Sequence, residues 1–543
     1  MRPIVDVAKD LGLDWQDLEP YGRDKAKIPL DAFPTNNSPG TLIVITAITP
    51  TPAEEGKSTT AIGLTQGLSK IGKQTALTIR QPSLGPVFGH KGGGTGGGKA
   101  TVQPATDINL HLTGDFHAVE SAHNLLAAMT DNTAYRGLIE NFEASGITWR
   151  RVTDAEDRAL RHIVAGINGQ VNGPLRQTGY DISAASEIGA IIALASDYKD
   201  LRRRLENILV GWTKDRKPVR AKDIQAVGSM MALLRDAMKP NLCQTVEGQP
   251  AIVHMGPFGN IAHGCNSIVA DILAQATSDY VVTEAGFGSD LGFEKFMNIK
   301  VRQGGPTPTV AVIVCTVRGL KWHGGIQMRD LDLKNVAAIT KGAENLEHAV
   351  RVVRTFGITP VVAINRFPND TRAEVSEIKR VAHTYGAVSV AEAKGFAEGG
   401  EGMRELAEAV VDAARQPCKA KLLYKDDVHL TEKIETIAKK IYRASKVDWA
   451  PMTRTTAKRF EDNGWNFPIC MAKTHLSVTA DKKLLGAPTG HRFPIRELRV
   501  AAGAQQVIAY AGDIMTLPGL PSNPNAWDID LDPNGLITGV LGT

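Results

Sequence analysis

The chain has 543 residues, of which 43% are hydrophobic and 22% charged, so about two to four soluble globular domains are expected. Lys and Arg total 62 against 58 Asp and Glu, and the net charge of +4 comes without runs of like sign, which argues against a nucleic-acid surface or a charged tail. No stretch reaches the roughly 18 consecutive apolar residues of a membrane span. Acidic residues also interrupt MRPIVDVAKD early, unlike a secretory signal, so a cytoplasmic location is expected. The five cysteines (Cys243, Cys265, Cys315, Cys418 and Cys470) contain no CxxC spacing, which speaks for free thiols rather than zinc or disulfides.

Short apolar runs alternate with amphipathic ones, the pattern of parallel sheets with helices on both faces. In chain order, strands are predicted at 41–48, 74–80, 108–112, 251–255, 280–284, 310–316 and 361–365. Helices are predicted at 58–71, 344–355, 372–384 and 404–414. Shifts in pattern near 346–357 and 417–429 suggest three units: 1–345, 346–420 and 421–543.

The first strand, TLIVITAI, runs into TPTPAEEGKSTT and then into a helical pattern. Strand, loop and helix in that order is the setting of a phosphate-binding loop, where backbone N–H groups and the helix dipole favour anions. The loop comprises Thr51, Pro52, Ala53, Glu54, Glu55, Gly56, Lys57, Ser58 and Thr59. Lys57 is suited to the outer phosphates of ATP and Ser58 to Mg²⁺. The loop departs from the usual pattern in having Thr51 where a first glycine normally stands, five residues before Gly56. Without the strand before it, Ser58 and Thr59 would read equally well as a plain helix start.

After the second strand comes Arg80, whose planar fork suits carboxylate or phosphate. Then eight of the 14 residues 85–98 are glycine, flanked by Lys91 and Lys99. Such a run is either a linker or a backbone wrapped closely around a ligand; its charged flanks favour the second reading.

TPAEEGKSTT, VFGHKGGGTGGGK, NLHLTGDFHA, PFGNIAHGCNS, TEAGFGSDLGFEKF, TVRGLKWHGG, AINRFP and CMAKTHLS together resemble the formate–tetrahydrofolate ligase family, of the monofunctional bacterial type. The resemblance spans about Tyr21 to Pro521 and implies a P-loop NTPase-like α/β parallel sheet in a large N-terminal domain, with two smaller α/β domains. By the same resemblance, 346–420 contributes to the folate site. The resemblance implies ATP-dependent N10-formylation of tetrahydrofolate through formyl phosphate, with ATP and Mg²⁺ as cofactors, in a homotetramer. It carries the phosphate and formyl-phosphate contacts to Lys57 and Arg80, with Phe287 and Gly288 near the intermediate. The pterin ring is implied to lie between Phe367, adjoined by Pro368, and Phe396.

The resemblance further implies a monovalent cation, K⁺ or NH₄⁺, held by Asp115 and a Glu, a position where this chain has Gln81. Glu54 stands where the family has glycine, a change that brings a carboxylate to the phosphate loop and takes away a residue tolerant of positive φ. Phe396 stands for a common tryptophan and Gly319 for an alanine. Two other readings remain: a folate- or nucleotide-binding paralogue of impaired turnover, and a generic P-loop ATPase, which explains only the first third of the chain.

Overall fold

The computed structural model describes residues 1–34, 38–89 and 93–540; Lys91 lies outside the described residues. Its centre is a sheet of 12 strands among those residues. In chain order they are β1 (Glu19–Tyr21), β2 (Lys25–Lys27), β3 (Thr41–Ala47), β4 (Thr75–Arg80), β5 (Gly96–Gly97), β6 (Ala100–Gln103), β7 (Asn241–Thr245), β8 (Pro250–His254), β9 (Tyr280–Glu284), β10 (Val310–Cys315), β11 (Thr359–Asn365) and β12 (Ser389–Ala393). The main path runs β1-β2-β7-β8-β4-β9-β3-β10-β11-β12, and the β5–β6 hairpin attaches to β7. From β8 to β12 every pairing is parallel; β1, β2 and β7 form an antiparallel flank.

β3 shows why this sequence becomes a central strand. Leu42 and Val44 enter one core cluster while Ile43, Ile45 and Ala47 enter another, so both faces are apolar and both are covered. On the second face lie α1 (Lys57–Lys70), through Ala61, Ile62, Leu64 and Leu68, and the helix Arg404–Ala414, through Leu406 and Val410. The first face is covered by the helix Ile268–Thr277 and the helix Val336–Thr355, the latter through Leu346, Val350 and Val353. Each such Val, Leu or Ile side chain contributes about 1.5–3 kcal/mol on full burial.

The strand at 280–284 and the helices Arg372–Thr384 and Arg404–Ala414 coincide with the sequence expectation. Arg372–Thr384 begins in a capping box: the Thr371 hydroxyl accepts from the Glu374 N–H, and the Glu374 carboxylate accepts from the Thr371 N–H. The strand expected at 108–112 is absent. Residues Ala105–Asn109 are a short helix, and Leu112 turns the chain at φ 50. The apolar alternation in INLHL is too short to outweigh Asp107 and Asn109, which favour helix ends and turns over a ladder. Asp115 therefore follows no strand; it opens α2 (Asp115–Arg136) behind Gly114.

The strands of 346–420, β11 and β12, extend the same parallel sheet. Within 421–543, Ile469–Ala472 pairs in parallel with Gln506–Tyr510, which pairs antiparallel with Glu497–Ala501. Ile469, Met471 and Phe493 from this segment join the core cluster on the first sheet face.

Candidate active site

The carboxyl ends of β3, β4, β9, β11 and β12 carry the residues singled out in the sequence, at the rim where open parallel sheets collect ligands. β3 ends at Ala47 and α1 begins at Lys57, with Gly56 as N-cap in the left-handed region at φ 75. Asn365, the last residue of β11, donates from Nδ2 to the Glu55 carbonyl at 3.1 Å. A Cβ on Gly56 would stand 2.4 Å from that Nδ2, so both the turn and the brace require glycine.

Four further contacts brace the front of the loop. The Thr49 N–H donates to Asn345 Oδ1 (2.9 Å), and Asn345 Nδ2 donates to Thr49 Oγ1 (2.9 Å) and to the Gly486 carbonyl (2.7 Å). His323 Nε2 donates to the Thr49 carbonyl at 2.8 Å. Burial lowers the His323 pKa to about 4, so the imidazole is neutral near pH 7, and the bond to a carbonyl fixes its proton on Nε2.

The two acids of the loop part company. Glu55 is buried, and its carboxylate accepts from Thr51 Oγ1 (2.8 Å) and Thr316 Oγ1 (2.9 Å). Burial pushes its pKa up against those hydrogen bonds. A Cβ on Gly319 would lie 2.6 Å from Glu55 Oε2, so the glycine in place of alanine leaves room for this carboxylate. Glu54 is exposed, at φ 56. A side chain in the left-handed region costs about 1–2 kcal/mol. Glu54→Gly is expected to stabilise the protein by about 1 kcal/mol in denaturant midpoint. Loss of the exposed charge is expected to lower KM for ATP by roughly two- to fivefold, the scale of a surface charge pair. An unchanged or raised KM would show that Glu54 does not oppose the nucleotide.

Lys57 and Ser58 open α1. Burial lowers the Lys57 pKa and the nearby Arg80 charge acts in the same sense, while Glu55, Glu284 and Glu54 oppose both. Ser58 Oγ donates to Glu284 Oε2 at 3.0 Å. Glu284 ends β9, whose register places it opposite Ile45 of β3. Sequence reasoning missed Glu284; the signal was an acid closing the apolar run YVVTE. Hydroxyl and carboxylate side by side are an oxygen-rich pair of the kind Mg²⁺ takes beside phosphates.

Arg80 ends β4, half-buried, and its Nε is buried without a hydrogen-bond partner among the described residues. Its guanidinium lies over Gly286, where a Cβ would approach Nη1 to 3.2 Å. Next in the chain, Phe287 sits at φ 60 and stacks on His475, with ring centroids 4.7 Å apart. Gly288 is buried, and a Cβ there would stand 2.9 Å from the Ile48 carbonyl. This loop is pinned by a buried ion pair, Asp290 Oδ2 to Lys473 Nζ at 2.9 Å, reaching into the C-terminal segment.

Phe367 and Phe396 leave the same end of neighbouring strands, since Asn365 of β11 pairs with Ala393 of β12. Phe367 is half-buried under the Arg318 guanidinium, 5.5 Å from its centroid, and Pro368 is exposed. Phe396 is 60% exposed. Its floor is the glycine run: a Cβ on Gly98 would meet Phe396 Cγ at 2.9 Å, and the Lys99 N–H donates to the Phe396 carbonyl at 2.9 Å. The described glycines are thus packed structure rather than a linker. Thr59 Oγ1 lies 4.0 Å from a Cβ built on Gly97, so the start of α1 and this platform are neighbours.

Asp115 is buried behind the end of β4: its partner Asn241 also bonds Val253 of β8, which pairs with Ile79 next to Arg80. Asp115 bonds Lys27 Nζ at 2.6 Å and Asn241 Nδ2 at 2.7 Å. Gln81 is also buried, with its N–H on the His254 carbonyl and its Oε1 without a partner among the described residues.

Residues 1–541 match the family model described as Formate--tetrahydrofolate ligase. Curated relatives of that name include one from Rhizobium meliloti (strain 1021), 51% identical over 99% of this chain and 97% of the relative. One from Roseiflexus sp. (strain RS-1) is 50% identical over 99% of this chain and 98% of its own length. One from Desulforamulus reducens is 50% identical over 100% and 97%.

Proposed function

The chain belongs to the formate–tetrahydrofolate ligase family, and from that premise we propose that it joins formate to N10 of tetrahydrofolate at the expense of ATP, at the strand-end site described above. Formate at neutral pH is an anion without a usable leaving group. Transfer of the ATP γ-phosphoryl group to a formate oxygen gives ADP and formyl phosphate. The folate N10 lone pair then attacks the carbonyl carbon, the bond from that carbon to the phosphate oxygen breaks, phosphate departs and N10 loses its proton.

The observation that carries this reading is Arg80, a guanidinium near Lys57 whose buried Nε has no hydrogen-bond partner among the described residues. A cationic fork with a spare donor beside a phosphate loop suits an anion that gains charge during reaction. Lys57 holds the outer phosphates, and the N–H groups at the start of α1 hold the rest. Ser58 and Glu284 would hold Mg²⁺, which shields phosphate charge when bound. Phe287 and Gly288 border the formyl phosphate. Phe367 and Phe396 take the two faces of the pterin. An aromatic side chain left 60% exposed forfeits burial energy that a flat ligand would restore.

The segment 346–420 enters this reading as the unit that supplies both aromatics, with 1–345 supplying the phosphate side. A cytoplasmic location agrees with five free cysteines. The homotetramer is part of the same proposal; exposed Val164, Ile167, Val171 and Leu175 supply apolar surface for it. The test is a three-substrate assay. ADP release and 10-formyltetrahydrofolate should both require formate and tetrahydrofolate together. ATP hydrolysis indifferent to both would favour the generic ATPase instead.

A further inference from the structure

The family resemblance puts a monovalent cation at Asp115 and position 81, and the residues present do not fit one. Resting on the ligase reading above, we infer that this chain needs no activating monovalent cation there, because Lys27 supplies the charge from within the protein.

Lys27 ends β2 and is 0% exposed. Its ammonium donates to Asp115 Oδ1 at 2.6 Å and to the Lys239 carbonyl at 2.9 Å. The other carboxylate oxygen, Oδ2, accepts from Asn241 Nδ2 at 2.7 Å. Asn241 is itself held: its Nδ2 also reaches the Val253 carbonyl (3.1 Å), and its Oδ1 accepts from Thr113 Oγ1 (2.6 Å). Both oxygens of Asp115 therefore already accept from donors whose own positions are fixed by β2, β7 and β8.

Counting charge gives the same result. Lys27 and Asp115 cancel, and Gln81 contributes nothing. Asp115 and Gln81 are each 1% exposed, so an entering ion would lose its water and leave one positive charge buried and uncompensated. Gln81 Oε1, without a partner among the described residues, offers one neutral oxygen, with the Arg80 cation next in the chain. That is too little to replace a hydration shell. A carboxylate at position 81 would bring the sum with a bound cation back to zero, so Gln81 is the residue that removes the requirement.

The experiment titrates KCl and NH₄Cl against choline chloride at constant ionic strength with the full-length protein, following both initial rate and melting temperature. Rate and formate KM are expected to change less than twofold, and melting to be the same in K⁺, NH₄⁺ and choline. Gln81→Glu is expected to acquire saturable K⁺ or NH₄⁺ stabilisation in the melt, because binding to the native state raises its stability. A saturable activation of the unaltered protein above twofold, or a melting shift specific to K⁺ or NH₄⁺, overturns the inference. A Gln81→Glu protein that folds yet ignores the ions overturns the role given to position 81. Protein that forms no product in any salt would sink the ligase reading, while the melting curves still decide the cation question.

Discussion

Arg80→Leu is expected to lower kcat by about 10²–10³, the usual cost of removing a donor aimed at charge that develops during reaction. Stability should stay level. Among the described residues the buried Nε has no hydrogen-bond partner to lose. That combination separates a catalytic role from a structural one, since breaking a structural contact would lower melting temperature together with rate. Arg80→Lys keeps the charge without the planar fork, so it should recover only part of the loss. The measurement is formate-dependent ADP release beside a thermal melt; a loss of rate under fivefold would remove Arg80 from the chemistry.

Gly56→Ala is expected to be the most damaging small change in the phosphate loop. The added Cβ meets two objections: φ 75, and Asn365 Nδ2 at 2.4 Å. The first costs about 1–2 kcal/mol. The second drives away the amide that satisfies the Glu55 carbonyl, at about 1–3 kcal/mol for the buried acceptor left behind. Relief by shifting the loop about 1 Å would cost on the order of 10² in kcat/KM for ATP. A double-mutant cycle checks the cause. Adding Asn365→Ala removes the clash, so the pair should be less impaired than the sum of the single changes. Strict additivity would mean that backbone conformation alone is responsible.

The strand–loop–helix unit that carries Lys57 was legible because its signals are local: an apolar strand, a loop with GKS, and a helical repeat within some 30 residues. The helix at Arg372–Thr384 was legible for a similar reason, being announced by Thr371 and Glu374. The surroundings of Asp115 were not. Lys27 and Asn241 lie 88 and 126 positions away, and no periodicity links them. Glu284 escaped notice because one acid at a strand end has no pattern of its own; only the parallel register with β3 brings it to Ser58. The false strand at 108–112 shows the converse error, a period of two read in five residues whose Asp and Asn neighbours favoured a turn. Glu54 lay between these cases: its departure from glycine was visible, and the backbone adopts the positive φ regardless of the side chain.

The ties from Thr49 through Asn345 and His323 to Gly486 have a consequence for biosynthesis. Gly486 follows Thr49 by about 440 residues, so it leaves the ribosome roughly 20–90 s later at ordinary elongation rates. Until then the loop between β3 and α1 lacks part of its support, and on the proposed reading a nascent chain would hold ATP poorly. On the proposed reading, competence to use ATP is thereby linked to synthesis of the segment that carries Gly486.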